Sequence, residues 1–240
     1  TAGLLGLLGL ALIQNRKMPK VTTSVLAALG AGTLILLGAL YGLIGAAADW
    51  LEIAGRGNDG NPQLRMTTWV TGQQSVLIYG AGLLGLLAAV HWWAPKIWGR
   101  ELHDLLGMLN FLVIGGGALL AFLGPALSGL FTEQPDFVYA DPNATATYAS
   151  WVDDTGAETF SAIGVAGVVI LLGGVGLLLL NLLISVGMKK GVTAGEDPWS
   201  AQSPEWMLPS PPPIGEPDEL PTLVSGTPLL DAAEAEEASV

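Results

Sequence analysis

Four uncharged stretches of this 240-residue sequence are long enough to cross a lipid bilayer as helices. They cover residues 21–48, 66–95, 105–131 and 159–188. Inside lipid the backbone must satisfy its own hydrogen bonds, and a helix does so within one segment. Hydrophobic residues make up 51% of the chain and charged residues 12%, which excludes a water-soluble globular protein. The sequence therefore predicts an all-α, polytopic membrane bundle with four full transmembrane helices.

Both ends of the chain differ from this bundle. Residues 1–13 are apolar but would cover only about 20 Å as a helix, so we interpret them as a partial helix, the end of a longer one. Residues 191–240 hold ten of the 21 acidic residues and no Lys or Arg. Eight prolines lie between Pro198 and Pro221, which exclude helix and favour extended chain. We therefore divide the chain into a transmembrane bundle, residues 1–190, and a Pro-rich, acidic tail, residues 191–240.

The distribution of basic residues predicts the orientation of the bundle. Seven Lys and Arg residues lie on one side, namely before the first stretch, after the second and after the fourth. The loops on the other side carry two, Arg56 and Arg65. Because cytoplasmic loops are enriched in Lys and Arg, we expect the side with seven, and with it the tail, to face the cytoplasm. The loop at residues 132–158 then faces outward.

Composition also excludes several kinds of site. Without cysteine the chain has no disulfides, thiolate metal sites or iron–sulfur clusters. A net charge of −12 has the wrong sign for nucleic-acid binding. We interpret His91 as an interfacial side chain at a span end and His103 as a solvated one, so neither is expected to be a metal ligand. The glycines within the spans are interpreted as helix-packing residues, with a self-dimerising motif as the alternative.

Three segments carry a resemblance to a known family. Residues 19–44, PKVTTSVLAALGAGTLILLGALYGLI, combine a basic residue, paired threonines and an L-x-A-L-G run. Residues 91–111, HWWAPKIWGRELHDLLGMLNF, contain an aromatic-aromatic-x-P-K-x-x-G-R turn and the start of a helix. Residues 197–213, DPWSAQSPEWMLPSPPP, place two tryptophans, a glutamate and a triple proline at a specific spacing. Together they resemble the last four helices and the C-terminal tail of subunit I of the heme-copper cytochrome c oxidases.

In that family an H-x-H motif in the second of these helices supplies axial ligands to two hemes. Counted back without a gap from the P-K pair at residues 95–96, the motif falls on Gln73, Gln74 and Ser75. A heme iron needs an imidazole, thiolate, thioether or phenolate donor, and glutamine and serine offer none. The resemblance therefore implies a degenerate heme site, and we expect the glutamine amides to hydrogen-bond between helices instead.

Two further cofactor motifs of the family are also altered. Its H-D-T motif, which helps to hold a magnesium ion, falls on Arg65, Met66 and Thr67, so only the threonine remains. Its P-R-R motif, which binds the heme propionates, falls at residues 135–137, where Asp136 and Phe137 replace the arginines. We therefore expect this chain to bind no cofactor or metal itself, with heme and copper carried by partner subunits.

The resemblance supports one principal function and leaves others open. The principal hypothesis is a non-catalytic, structural or assembly subunit of a respiratory cytochrome c oxidase complex or supercomplex in a bacterial plasma membrane. The alternative is a half-subunit of an active heme-copper oxidase whose cofactors are ligated by other chains. An unrelated membrane scaffold or transport role is a third possibility. The chain is not expected to be an enzyme by itself.

The tail motif predicts where partners dock. A proline-rich strand loses little entropy on binding, and tryptophans supply a large contact area. We therefore expect the tail to dock on other oxidase subunits or on the cytoplasmic helix ends, in a setting of membrane lipid and without nucleic acid. The predicted docking residues are Trp199, Glu205, Trp206, Pro211, Pro212 and Pro213.

Overall fold

The structure, a computed structural model, describes residues 21–50, 64, 67–131, 157–195, 198–199 and 204–212. Its helices are α1 (Thr23–Trp50), α2 (Trp69–Gln74), α3 (Ala81–Trp98), α4 (Asp104–Phe131) and α5 (Ala157–Leu182). A π-helical segment, Ser75–Gly80, joins α2 to α3 without a break, and a second one, Leu183–Gly187, continues α5. One short 3-10 helix, Pro204–Met207, lies in the tail.

Four helices in the described part of the chain are long and apolar enough to cross a membrane, which confirms the predicted all-α membrane bundle. They are Thr23–Ala47, Trp69–Trp98, Asp104–Phe131 and Glu158–Gly187. We refer to Trp69–Trp98, which contains α2, the first π segment and α3, as the second span. The predicted partial helix at residues 1–13 lies outside the described residues. The four membrane-length helices make this protein an integral membrane protein.

α5 packs along α4 through small residues. A Cβ atom added to Gly167 of α5 would collide with the backbone of Ala121, and one added to Gly117 of α4 would lie 2.9 Å from the Leu171 nitrogen. One added to Gly124 would collide with the backbone of Gly164. Glycine at these positions lets the two helix backbones approach closely, which is how helices associate in lipid, where burial from water is not available as a driving force.

A cluster of buried aromatic side chains joins the C-terminal half of α1 to the second span and to α4. The Tyr41 ring stacks on Trp69 of the second span, with ring centres 3.9 Å apart. Phe122 of α4 meets the Tyr41 ring edge-on at 4.8 Å. All three side chains are buried, so α1, α2 and α4 share one core at this end of the bundle.

The second span ends in a turn that receives the tail. Gly99 has a left-handed backbone (φ 65°), and its N–H donates to the Pro95 carbonyl at 2.8 Å. A glycine suits this position because other residues are strained at positive φ. The Glu101 N–H donates to the Val192 carbonyl at 2.9 Å, and the Ala194 N–H donates to the Gly99 carbonyl at 3.0 Å. Residues 191–194 are thus paired with the turn that follows α3.

The tail differs in one respect from the predicted extended chain. Pro204–Met207 forms a 3-10 helix, so the expectation that prolines exclude helix is wrong there. The physical reason is that Pro204 occupies the first helical position, where its missing N–H leaves no hydrogen bond unmade and its fixed φ is suitable.

Candidate functional site

Gln73, the first of the two positions that the family resemblance aligns with heme ligands, hydrogen-bonds to a neighbouring helix. Its Nε2 donates to the Gly38 carbonyl of α1 at 3.1 Å. A Cβ atom added to Gly42 would collide with the same amide group. The absence of a side chain at Gly42 therefore makes room for Gln73 on α1, and the predicted interhelical hydrogen bond is confirmed for this residue.

Gln73 is the middle one of three contacts of the same kind. Three side chains of the second span lie against three glycines of α1, in the pairs Trp69–Gly45, Gln73–Gly42 and Leu77–Gly38. Added Cβ atoms on the first and last of these glycines would lie 2.5 Å from the indole Nε1 and from the leucine Cδ2. We refer to Gly38, Gly42 and Gly45 as the glycine face of α1, and each of them contacts one side chain of the second span.

Gln74 and Ser75, which follow Gln73 in the aligned motif, do not reach α1. Ser75 is buried, and its hydroxyl donates to the Thr71 carbonyl, four residues earlier in the same span, at 2.9 Å. Gln74 is exposed, and no described residue hydrogen-bonds its side chain. The expectation of an interhelical hydrogen bond is therefore wrong for Gln74, because consecutive residues of a helix point about 100° apart and its exposed side chain does not face α1.

These residues do not fit a heme iron. The two ligand positions present an amide and a hydroxyl, each of which bonds the chain's own backbone, and neither is a heme ligand. A cavity of about 360 Å³ opens beside Gln73, between α1 and α2. Its lining consists of small and apolar residues apart from Gln73 and contains no histidine. Across the described residues, no three His, Cys, Asp or Glu side chains are grouped so that they could hold a metal ion.

Thr67, which the family resemblance aligns with the threonine of the magnesium motif, has a local structural role. It is buried, its hydroxyl donates to the Leu64 carbonyl at 2.8 Å, and the same oxygen accepts from the Trp69 N–H at 3.2 Å. The hydroxyl thus satisfies a free N–H at the start of α2, as a capping side chain does. The other altered positions, Arg65, Met66, Pro135, Asp136 and Phe137, lie outside the described residues.

The interpretation of His91 as an interfacial side chain is wrong. The imidazole is 4% exposed, and its Nδ1 lies 3.0 Å from the Leu87 carbonyl. Because a carbonyl only accepts, Nδ1 carries the hydrogen and Nε2 is the acceptor, 3.4 Å from the Asn181 amide nitrogen of α5. A Cβ atom added to Gly107 of α4 would collide with the ring. Helices α4 and α5 cover the ring, a contact between distant segments that a sequence pattern does not report.

Asn181 joins α5 to the turn between α3 and α4. Its amide nitrogen donates to the His103 carbonyl at 3.0 Å, and its Oδ1 accepts from the His103 N–H at 3.1 Å. The Ser185 hydroxyl donates to the same Oδ1 at 2.9 Å. The sequence analysis did not identify this network, although an asparagine within an uncharged span was the signal that could have revealed it.

Asp104 ties α1 to α4 at the same end of the bundle. Its Oδ1 accepts from the Thr23 N–H at 2.8 Å and from the Thr23 hydroxyl at 2.6 Å. A carboxylate at the first N–H of a helix is favoured by the helix dipole. Burial raises the pKa of the neighbouring Glu101 carboxyl, and the negative charge of Asp104 raises it further.

The tail packs against the last turns of α3 through its tryptophans. Trp206 is 2% exposed and meets Trp92 edge-on with ring centres 5.7 Å apart. Trp93 lies roughly parallel to it at 6.4 Å. Trp199 is half-buried, stacks on Trp92 at 5.7 Å and donates its indole N–H to the Trp92 carbonyl at 3.0 Å. The two tail tryptophans thus enclose Trp92.

Lys96 completes this contact. Its ammonium donates to the carbonyls of Leu208, at 2.6 Å, and Pro209, at 3.2 Å, and lies 5.3 Å from the centre of the Trp206 ring. Glu205 is half-buried and Pro211 and Pro212 are exposed, whereas Pro213 lies outside the described residues. The tail contacts described here are all with the same chain, so docking on a partner remains a prediction.

Comparison with known proteins gives a consistent set of relatives, although no family model matches the chain. The chain is 32% identical over 197 residues to cytochrome c oxidase subunit 1 of Bacillus subtilis, covering 81% of this chain and 28% of that protein. It is 33% identical over 162 residues to the heme-copper oxidase subunit I+III of Aeropyrum pernix, covering 66% and 18%. It is 27% identical over 208 residues to cytochrome c oxidase subunit 1 of Thermostichus vulcanus, covering 86% and 33%.

The helix bundle and these similarities define the chain first as an integral membrane protein related to the heme-copper oxidases. More closely, it is a homologue of cytochrome c oxidase subunit I, as the sequence motifs predicted. It spans between 18% and 33% of the length of the three relatives, and this partial coverage fits a C-terminal part of that subunit.

Proposed function

We propose that this chain is a non-catalytic, subunit I-like component of a respiratory cytochrome c oxidase complex or supercomplex, with a structural or assembly role. The observation that supports this most directly concerns Gln73 and Ser75, where the family resemblance places heme-ligating imidazoles. Both side chains bond the chain's own backbone, and Gln73 packs on a glycine of α1. On this proposal the chain keeps the helix bundle of subunit I, and heme and copper are carried by its partner subunits.

The proposed location is a bacterial plasma membrane with the C-terminus in the cytoplasm. The guanidinium of Arg100 donates to the carbonyls of Lys189, at 2.9 Å, and Gly191, at 2.8 Å. These bonds bring the two basic loops, after α3 and after α5, to the same end of the bundle. An accumulation of basic residues at one end supports a cytoplasmic position for that end and for the tail.

The tail is proposed to form part of the docking surface for the partner subunits. Trp206 is buried against the chain's own α3, so its proposed contribution is to hold the segment in place. Pro211 and Pro212 are exposed and are the residues proposed to contact the partner, while Trp199 and Glu205 border the contact.

The proposal is tested by heme content. The full chain, tagged and purified from its native membranes in mild detergent, is expected to bring down heme-containing oxidase subunits. After a stronger detergent has removed those subunits, the chain alone is expected to show no Soret absorption, and incubation with hemin should not restore it. The matched comparison is the partner fraction, which should retain its full heme absorption.

Two results would contradict the proposal. A Soret band that stays with the isolated chain would favour the alternative, a half-subunit that takes part in heme ligation. A chain purified in mild detergent without any heme-containing subunit would favour a membrane scaffold outside the oxidases.

A further inference from the structure

The turn that ends α5 contains a backbone conformation that is unusual for a lysine. Lys189 has φ 58°, in the left-handed region that favours glycine, and no other non-glycine residue in the described part of the chain has a positive φ. The Lys190 N–H donates to the Ile184 carbonyl at 3.1 Å, and the Gly191 N–H donates to the Ser185 carbonyl at 3.0 Å. These bonds close the end of the helix. A lysine is kept here at a conformational cost, and such outliers are concentrated at functional sites.

Arg100 holds this turn from the segment that follows α3. Its Nη1 donates to the carbonyls of Lys189, at 2.9 Å, and Gly191, at 2.8 Å. A guanidinium has five N–H donors, and no described residue accepts from Nε or Nη2 of Arg100. Three positive charges therefore lie close together. We refer to Arg100, Lys189 and Lys190 as the basic corner.

The basic corner has no acidic partner among the described residues. Lys189 and Lys190 are exposed, and no described carboxylate pairs with either ammonium. In the turn after α3, the Asp104 Oδ1 accepts from the N–H and the hydroxyl of Thr23. Glu101 contacts the chain after α5 through its backbone N–H. A cluster of positive charge without a counter-charge attracts an anion.

The depth of the basic corner in the membrane indicates which anion it meets. The span Glu158–Gly187 has 30 residues and is about 45 Å long as a helix. The hydrocarbon layer is ~30 Å thick, and the headgroup layers bring the bilayer to about 40–45 Å. Lys189 and Lys190 follow this span almost directly, so their ammonium groups lie in the headgroup layer.

Exposed apolar side chains surround the basic corner. Leu183, Met188 and Val192, on the same stretch of chain as the two lysines, are 58%, 53% and 66% exposed. Trp98, two residues before Arg100, is 40% exposed, and tryptophan is enriched at membrane interfaces. Positive groups at headgroup level beside exposed apolar side chains suit an amphiphile, in which a phosphate is attached to acyl chains. A soluble phosphate would use the charges alone.

The acidic tail of the chain is another source of negative charge. The described part of the tail leads away from the lysines to the end of α3. Residues 191–194 are paired with the turn after α3, and Trp199 and Trp206 pack on Trp92. The described tail residues therefore do not cover the exposed lysines, which favours lipid as the occupant.

We propose that the basic corner binds the phosphate headgroup of an anionic phospholipid. The ammonium groups of Lys189 and Lys190 and the N–H groups of Arg100 that have no described partner supply the charge and the hydrogen-bond donors, and the neighbouring apolar side chains contact the acyl chains. This lipid site goes beyond the proposed assembly role and does not depend on whether the chain binds heme.

Native mass spectrometry of the full-length chain in a neutral detergent measures the binding. The chain is titrated with phosphatidylglycerol and, in parallel, with phosphatidylcholine, which has no net charge and carries the same acyl chains. We expect phosphatidylglycerol to bind more tightly. Lys189→Gly and Lys190→Gln should each raise its dissociation constant about fivefold, the contribution of one basic residue at a membrane surface, and leave that of phosphatidylcholine unchanged. The matched control, Arg56→Gln, removes one charge from a loop that the sequence predicts on the other side of the membrane and should change neither constant.

Lys189→Gly also separates lipid binding from a structural role. Glycine adopts the left-handed backbone without strain, so this variant should melt at or above the wild-type temperature in lipid-free micelles. A variant that melts at a lower temperature and still binds phosphatidylglycerol as the wild type does would make Lys189 a structural residue and overturn its assigned role.

Three other results would overturn the lipid site, whatever the heme content of the chain. The first is equal affinity for the two lipids, or an unchanged dissociation constant for phosphatidylglycerol in both lysine variants. The second is displacement of phosphatidylglycerol by an equal concentration of glycerol phosphate, which would show a site for a soluble phosphate. The third is a zero-length cross-link from Lys189 or Lys190 to a tail carboxylate, which would show that the tail occupies the basic corner.

Discussion

Replacement of Trp206 by alanine is expected to release the tail from the end of α3. The indole is 2% exposed and packs against Trp92 and Trp93. Truncation of a buried tryptophan to alanine costs about 3–5 kcal/mol. Loss of the contact between the ring and the Lys96 ammonium, which lies 5.3 Å from the ring centre, adds to this. The Trp206 N–H is buried and has no hydrogen-bond partner among the described residues, which works in the opposite direction, so we take about 3 kcal/mol as the net loss.

Hydrogen exchange of the backbone amides at residues 205–208 measures this loss. The tail segment opens locally, so its opening equilibrium should rise by the same free energy, and about 3 kcal/mol corresponds to a factor of about a hundred. The matched control is Trp98→Ala, because Trp98 is 40% exposed at the end of the same helix. Its effect on tail exchange should stay within about twofold, as for other surface substitutions.

Two outcomes would refute this reasoning. If Trp206→Ala exchanges at the wild-type rate, the tail is held by other contacts, such as the Lys96 bonds to the carbonyls of Leu208 and Pro209. If protection is lost equally throughout α4, Trp206 stabilises the whole bundle and the tail is not a separate unit.

Three further predictions concern the bundle. Gly42→Ala should lower the free energy of unfolding in micelles by about 1–3 kcal/mol through collision with the Gln73 amide, while Gly82→Ala, where an added Cβ meets nothing within 4 Å, should not lower it. Asn181→Leu should lower thermal stability by about 1–3 kcal/mol, because backbone groups at the start of α4 lose their partner. Burial raises the pKa of Glu101 above its ordinary 4.5. The free energy of unfolding therefore falls as pH rises through that raised pKa, because the carboxyl then ionises in a position that disfavours its charge. The melting temperature of Glu101→Gln should therefore exceed that of wild type at pH 7, and the difference should vanish at acidic pH; an equal difference at both pH values would contradict this.

The number of spans could be predicted because lipid imposes a length and an apolar composition on each of them. Their ends could not be predicted, because local contacts decide them. The second span continues to Trp98 and stops where Gly99 adopts a left-handed backbone. It begins at Trp69, whose N–H donates to the Thr67 hydroxyl, and that hydroxyl in turn donates to the Leu64 carbonyl. Such contacts shift a helix end by a few residues without changing the hydrophobic pattern.

The candidate site was predictable in position but not in geometry. The spacing of the P-K pair located Gln73 and Ser75, and an interhelical hydrogen bond was expected for both glutamines. Which glutamine faces α1 depends on the rotation of the second span about its axis. Three contacts with the glycine face of α1 set that rotation, and these involve segments some 25 to 40 positions apart in the sequence. The burial of His91 was missed for the same reason, since Asn181 lies 90 positions away.

The glycine face of α1 also bears on the proposal that this chain binds no heme. A cofactor pocket without its cofactor would leave a void, and voids destabilise a packed core. Here Trp69, Gln73 and Leu77 each occupy the place that a glycine of α1 leaves open. To place a heme between these two helices, α1 would have to move away from the second span, and that movement would break the Gln73–Gly38 contact and the stacking of Tyr41 on Trp69.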